Sequence, residues 1–123
     1  MIKIICVGKV KEGYIKAAVN DYLTRLSKYA KVKLIETEEF NNSSSTINLQ
    51  KEKEVILKHV NTGDYIIILD IKGKQLTSVE LSNKIERLFV QGRSNIVFII
   101  GGSEGIDEEL KVISDFKLSF SKM

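Results

Sequence analysis

Tyr65-Ile66-Ile67-Ile68-Leu69-Asp70-Ile71-Lys72-Gly73 is the stretch that decides the fold. Its first five residues are apolar without interruption, so the segment reads as a strand covered on both faces, as strands of a parallel sheet are. Asp70-Ile71-Lys72-Gly73 reads as a loop at the carboxyl end of that strand. Two other runs share this character: Ile2–Val7, which ends in Gly8, and Ile96–Ile100, which ends in Gly101-Gly102. Val32, Leu34 and Ile35 open a further strand, and Phe116–Phe120 reads as the last one.

Helical spacing fills the intervals. From Tyr14 to Ala30 the residues Ile15, Val19, Tyr22, Leu23, Leu26 and Tyr29 recur three and four apart and make one apolar stripe. Ile47 to Val60 has the same spacing and stops at Asn61-Thr62-Gly63. Thr77-Ser78-Val79-Glu80 has capping-box spacing, in which a hydroxyl and a carboxylate satisfy unpaired backbone N–H groups at a helix start. That helix is expected to reach about Gln91 and to end at Gly92. A short helix is expected near Asp107, because Asp107, Glu108 and Glu109 suit the positive end of a helix dipole. The polar stretch from Glu36 to Ser45 reads as a loop. Strands alternating with helices predict an α/β fold with a mostly parallel sheet flanked by helices, since parallel neighbours need crossover connections. No repeat is visible, and one domain over residues 1–123 is expected.

The bulk figures agree. A chain of 123 residues with 43% hydrophobic and 28% charged residues has the balance of a globular protein. The longest apolar runs fall far short of the roughly 20 residues that span a bilayer, and the first residues lack the pattern of a signal peptide, so a cytoplasmic location without membrane contact is expected. The single cysteine, Cys6, and single histidine, His59, exclude multi-cysteine zinc sites and histidine-centred triads, and no metal is expected. The net charge of +3 is unevenly spread. Lys3, Lys9, Lys11, Lys16, Arg25, Lys28, Lys31 and Lys33 face only Glu12 and Asp21 near the amino terminus, which suits either a phosphate-bearing partner or a solvated helix face.

In open parallel sheets, ligands bind outside the carboxyl ends of the strands. Leu69–Gly73, Gly101–Gly105 and Phe120–Met123 all fall there. Glycines just past a strand let a flat base or ribose approach the backbone without meeting a Cβ. The pattern is neither a phosphate-binding lysine loop nor the dinucleotide fingerprint. Asp70 and Glu104 lie near the expected pocket, yet each serves equally as a turn cap, and no general base stands out.

Taken in order, Met1-Ile2-Lys3-Ile4 with Val7-Gly8-Lys9, Tyr22-Leu23 with Arg25-Leu26, Leu69-Asp70-Ile71-Lys72-Gly73-Lys74, Phe98-Ile99-Ile100-Gly101-Gly102-Ser103-Glu104-Gly105 and Leu118-Ser119-Phe120-Ser121-Lys122-Met123 resemble the SPOUT-class family that methylates N3 of pseudouridine in 23S ribosomal RNA. The resemblance runs from end to end. It implies a SPOUT (α/β-knot) fold, S-adenosylmethionine as methyl donor, ribosomal RNA of the large subunit or assembled ribosome as partner, and a homodimer. Carried over by motif, Leu69 and Gly101 contact the donor, and Phe120, Ser121, Lys122 and Met123 begin the loop that wraps its adenosine.

Members of that family continue past Ser-Lys-Met with a proline-containing loop, a long helix and a closing histidine-tyrosine pair, which thread the trefoil knot, complete the donor pocket and build much of the dimer. This sequence has no proline and ends at Met123. The expectation is a domain that is incomplete at its carboxyl end, lacking the usual support for the knot, tight donor binding and the dimer. The alternative is a catalytically inactive remnant that binds RNA or ribosomes. A generic nucleotide-binding domain is the weaker third reading.

Overall fold

The computed structural model describes residues 1–8, 17, 20, 21, 24–28, 30–41, 44–102 and 105–119, without the side chains of residues 70–72 and 78. In chain order it contains β1 (Ile2–Val7), β2 (Val32–Thr37), α1 (Ser45–Leu57), β3 (Tyr65–Gln75), α2 (Ser78–Val90), β4 (Ile96–Ile100), α3 (Glu108–Ile113) and β5 (Phe116–Ser119). Between β1 and β2, Ala17, Asn20, Asp21, Thr24, Arg25 and Leu26 are helical, as the spacing from Tyr14 to Ala30 predicts for these positions.

Among the described residues, five strands lie in the order β2-β1-β4-β3-β5, and every pair is parallel. Each strand is thus joined to the next by a crossover. Connections of one hand place a helix on one face when the chain steps one way across the sheet, and on the other face when it steps back. The core follows that rule. Steps from β1 to β2 and from β3 to β4 run in one direction, and Leu26 with Leu81, Ile85 and Leu88 of α2 packs against Ile4, Ile67, Phe98 and Leu118. Steps from β2 to β3 and from β4 to β5 run the other way, and Ile56 of α1 with Ile106 and Leu110 packs against Ile5, Ile68, Val97 and Ile99. Both faces of the sheet are covered, which is why β4 is buried at every position and its sequence shows no alternation.

Local signals set the helix ends. Thr77 and Glu80 form the reciprocal capping box, with Thr77 N–H donating to Glu80 Oε1 at 3.0 Å and Glu80 N–H to Thr77 Oγ1 at 3.1 Å. These bonds hold the Glu80 carboxyl below its ordinary range. Asp107 caps α3 by accepting from the N–H of Glu109 at 2.8 Å. The amino terminus closes the far end of the sheet, where the Met1 ammonium donates to Ser94 O at 2.9 Å and Asn95 Oδ1 at 3.3 Å.

Four expectations need correction. Glu36 and Thr37 belong to β2 rather than to the loop, pairing with Cys6 and Val7. Ser45 belongs to a helix rather than a loop, because Ser44 caps α1 through its hydroxyl, which accepts from the N–H of Ile47. That helix ends at Leu57 rather than at Val60. Asp70–Gly73 does not end β3: Leu69 and Lys74 both pair with Leu118, so four residues form an excursion and the strand resumes through Gln75. The last strand is described over Phe116–Ser119, and Phe120, to which the sequence reading extends it, lies outside the described residues.

Candidate functional site

Because all five strands are parallel, the ends of β1, β4, β3 and β5 share one rim. Leu69 is half-buried there and packs against the core that α2 covers. Gly101 follows the neighbouring strand, whose register is Ile68 with Ile99, so it stands one step beyond the level of Leu69 and within roughly 6 Å of it by strand geometry. On the other side of β3, Ser119 is also one step beyond that level, since Leu69 pairs with Leu118. Gly101 and Ser119 are thus two strand spacings apart, roughly 10 Å, with Leu69 between them. Of the residues picked out by sequence, Leu69 and Gly101 are brought together. Phe120, Ser121, Lys122 and Met123 lie outside the described residues, and Ser119 marks where they begin.

The turn after β4 is closed on itself. Gly105 N–H donates to Gly102 O at 3.1 Å, and the two residues form an isolated antiparallel bridge. A Cβ on Gly101 would lie 2.5 Å from Gly105 O and 2.6 Å from Ile106 Cγ1. A Cβ on Gly102 would collide with the Glu39 carboxylate and sit 3.2 Å from Val7 Cγ1. The side of each glycine that a Cβ would occupy is therefore taken by the protein's own atoms. Both glycines answer to the fold there. Glu39 is the site residue that sequence reasoning missed, because it sits in an acidic run that reads as loop.

Other titratable groups are accounted for structurally. Cys6 is buried, and that burial, helped by the charges of Glu36 and Glu39, pushes its thiol up to about 11, so it stays protonated and is no nucleophile at neutral pH. His59 is half-buried in the turn after α1, and its carbonyl accepts from Lys3 Nζ at 3.0 Å. That places it at the amino end of β1, opposite the rim. The side chain of Asp70 and the whole of Glu104 lie outside the described residues. Among the described residues no three His, Cys, Asp or Glu side chains are grouped to hold a metal ion. Nor is any described helix long and apolar enough to cross a membrane.

Two further surfaces lie outside this site. An open groove of about 680 Å³ runs beside α2 and β5, lined by Lys74, Lys84, Arg87 and Phe116 among others, and includes neither Leu69 nor Gly101. Lys84 Nζ stands 4.2 Å from the centroid of the Phe116 ring there. Lys28, Lys31 and Lys33 are exposed before and at the amino end of β2, while Arg25 is paired with Asp21 at 3.0 Å.

Residues 1–123 match a family described as "Predicted SPOUT methyltransferase" from end to end. The chain belongs to the SPOUT methyltransferase family. Among its relatives, proteins named ribosomal RNA large subunit methyltransferase H are 47% identical in Clostridium botulinum strain Okra and 46% identical in Alkaliphilus oremlandii. A third of that name, in Acetivibrio thermocellus, is 41% identical. Each match covers 99% of this chain and 80% of the relative. The all-parallel sheet flanked by helices is the SPOUT architecture that the resemblance implies.

Proposed function

We propose that this SPOUT methyltransferase acts as one domain on large-subunit (23S) ribosomal RNA in the cytoplasm, transferring a methyl group from S-adenosylmethionine to N3 of a pseudouridine. The observation that carries the reading is the convergence of Leu69, Gly101 and the lead-in to Phe120 at one rim of the sheet. The names of the relatives support RNA as the acceptor.

The residues present suit the donor. Leu69 offers a half-buried apolar wall between two strand ends roughly 10 Å apart, a span that accommodates a nucleoside. Backbone groups of the glycine turn are within reach beside it. When bound, the donor supplies an activated methyl on a sulfonium. The task left to the chain is to hold the acceptor nitrogen in line with that methyl and to exclude water, an orientation effect worth several kcal/mol. Phe120, Ser121, Lys122 and Met123 follow Ser119 directly and are the residues proposed to close over the adenosine. The exposed Lys28, Lys31 and Lys33 supply charge for RNA phosphates, so RNA affinity is expected to fall steeply with added salt.

The deciding experiment incubates the 123-residue protein with labelled donor and ribosomes from a strain lacking the modification, then identifies the methylated nucleoside by mass spectrometry. Label in N3-methylpseudouridine is expected. Ribosome binding without donor binding or transfer would overturn the enzymatic reading in favour of an RNA-binding remnant.

A further inference from the structure

The crevice between β1 and β4 is the switch point of this sheet, because β1 leads outward to β2 whereas β4 leads across β3 to β5. Such a crevice is where an open parallel sheet ordinarily receives its ligand. Here a side chain fills it. Glu39 is half-buried, and its Oε1 lies 3.4 Å from where a Cβ of Gly8 would stand, at the end of β1. Its carboxyl carbon lies 3.0 Å from the corresponding position on Gly102, at the end of β4. The carboxylate thus spans the two strand ends and rests on the glycine turn.

Its own position is fixed from behind. The next residue, Phe40, donates its N–H to Glu52 Oε2 at 2.9 Å, and Glu52 is a buried side chain of α1. Gly8 N–H donates to Thr37 O at 2.7 Å and ties the end of β1 to the same segment. A turn that starts Gly101-Gly102 has more backbone freedom than any other dipeptide would give it, so a fixed wall is needed to keep one shape.

We propose that Glu39 is a positioning residue of the donor site: it plugs the β1–β4 crevice and braces Gly102, so that the Gly101-Gly102 backbone keeps one shape and directs the donor to its β3 side. This rests on the donor reading given above. It adds to that reading a residue from β2's exit, on the opposite side of the turn from Leu69, that no donor atom need touch.

The test is titration calorimetry with S-adenosylmethionine on the 123-residue protein and on Glu39→Ala, Glu39→Gln, Gly102→Ala and the Glu39→Ala/Gly102→Ala pair, with thermal melting of each. Glu39→Ala is expected to weaken donor binding about tenfold, the scale of a small misplacement of a binding group, with its melting temperature held. Glu39→Gln keeps the length and an acceptor oxygen and restores binding. Gly102→Ala weakens binding and stability through collision with Glu39, and adding Glu39→Ala relieves the loss of stability, as coupled neighbours do. Donor affinity that ignores position 39, affinity that merely follows the melting temperature, or strictly additive losses in the pair would each overturn the role of Glu39 alone. If the unmutated protein binds no donor, the donor reading falls and this role falls with it, whatever the stability of the pair shows.

Discussion

Strands β3 and β4 enter the sheet side by side, Tyr65 beside Ile96 and Ile68 beside Ile99, with nearly interchangeable runs of isoleucine. They leave it differently. β4 stops at Ile100 and its backbone doubles back through the Gly102–Gly105 bridge. β3 makes a four-residue excursion and then rejoins β5, so that Leu69 and Lys74 share one partner. The apolar interior of a strand specifies that it enters a covered sheet, whereas its exit depends on what its glycine is pressed against. At Gly101 that is the carbonyl of the same turn; at Gly73 it is the backbone of β5.

Substituting these glycines breaks the comparison at its two ends. A Cβ on Gly73 would meet the carbonyl carbon and oxygen of Lys117, both at 2.7 Å, and backbone atoms inside a strand pair cannot swing aside. Gly73→Ala is expected to cost about 3 kcal/mol in urea unfolding and to strip hydrogen-exchange protection from β5 while sparing β1. Gly101→Ala meets Gly105 O and the movable Ile106 side chain, and about 2 kcal/mol is expected. Gly105 has open space around it but a φ of +87°, so Gly105→Ala should cost only about 1 kcal/mol, from backbone strain. If Gly73→Ala proves as mild as Gly105→Ala, the close approach of β3 to β5 is wrong.

The smallest effect near neutrality concerns Cys6, which pairs with Ile100 beneath the turn. Its folded thiol titrates about two units above an unfolded one, so the folded state keeps a proton that the unfolded state gives up. The stability this provides is complete below about pH 9 and is lost as pH rises towards 11. At pH 8 a thiol reagent should label Cys6 only at the rate of unfolding, and rapid labelling of native protein would contradict its burial.

Runs of isoleucine made β1, β3 and β4 readable, and the hydroxyl and carboxylate at Thr77 and Glu80 made the start of α2 readable, because both signals are local. The strand order was not legible, nor was the return of β3 to Leu118, since each depends on which distant backbone comes to lie alongside. Leu69 and Gly101 could be assigned to the rim because strand ends carry them there. Glu39 could not: its role arises from a reach across two strand ends that lie 31 and 63 positions away in sequence, at Gly8 and Gly102. Nothing in the run Glu36-Thr37-Glu38-Glu39 distinguishes the carboxylate that folds inward from those that face water.

The bonds of the first residue to Ser94 and Asn95 have a consequence for how the molecule is made. They join positions 93 and 94 apart, and β1 sits between β2 and β4, so the middle of the sheet cannot close until the residues of β4 have been synthesised. At a translation speed of about 5–20 residues per second, the interval is roughly 5–20 s. For that time Ile2, Ile4, Ile5 and Val7 have at most β2 beside them, and closing so long a loop makes folding slow for a chain of this size. The newborn protein therefore presents a sticky, half-covered strand to whatever chaperone meets it first.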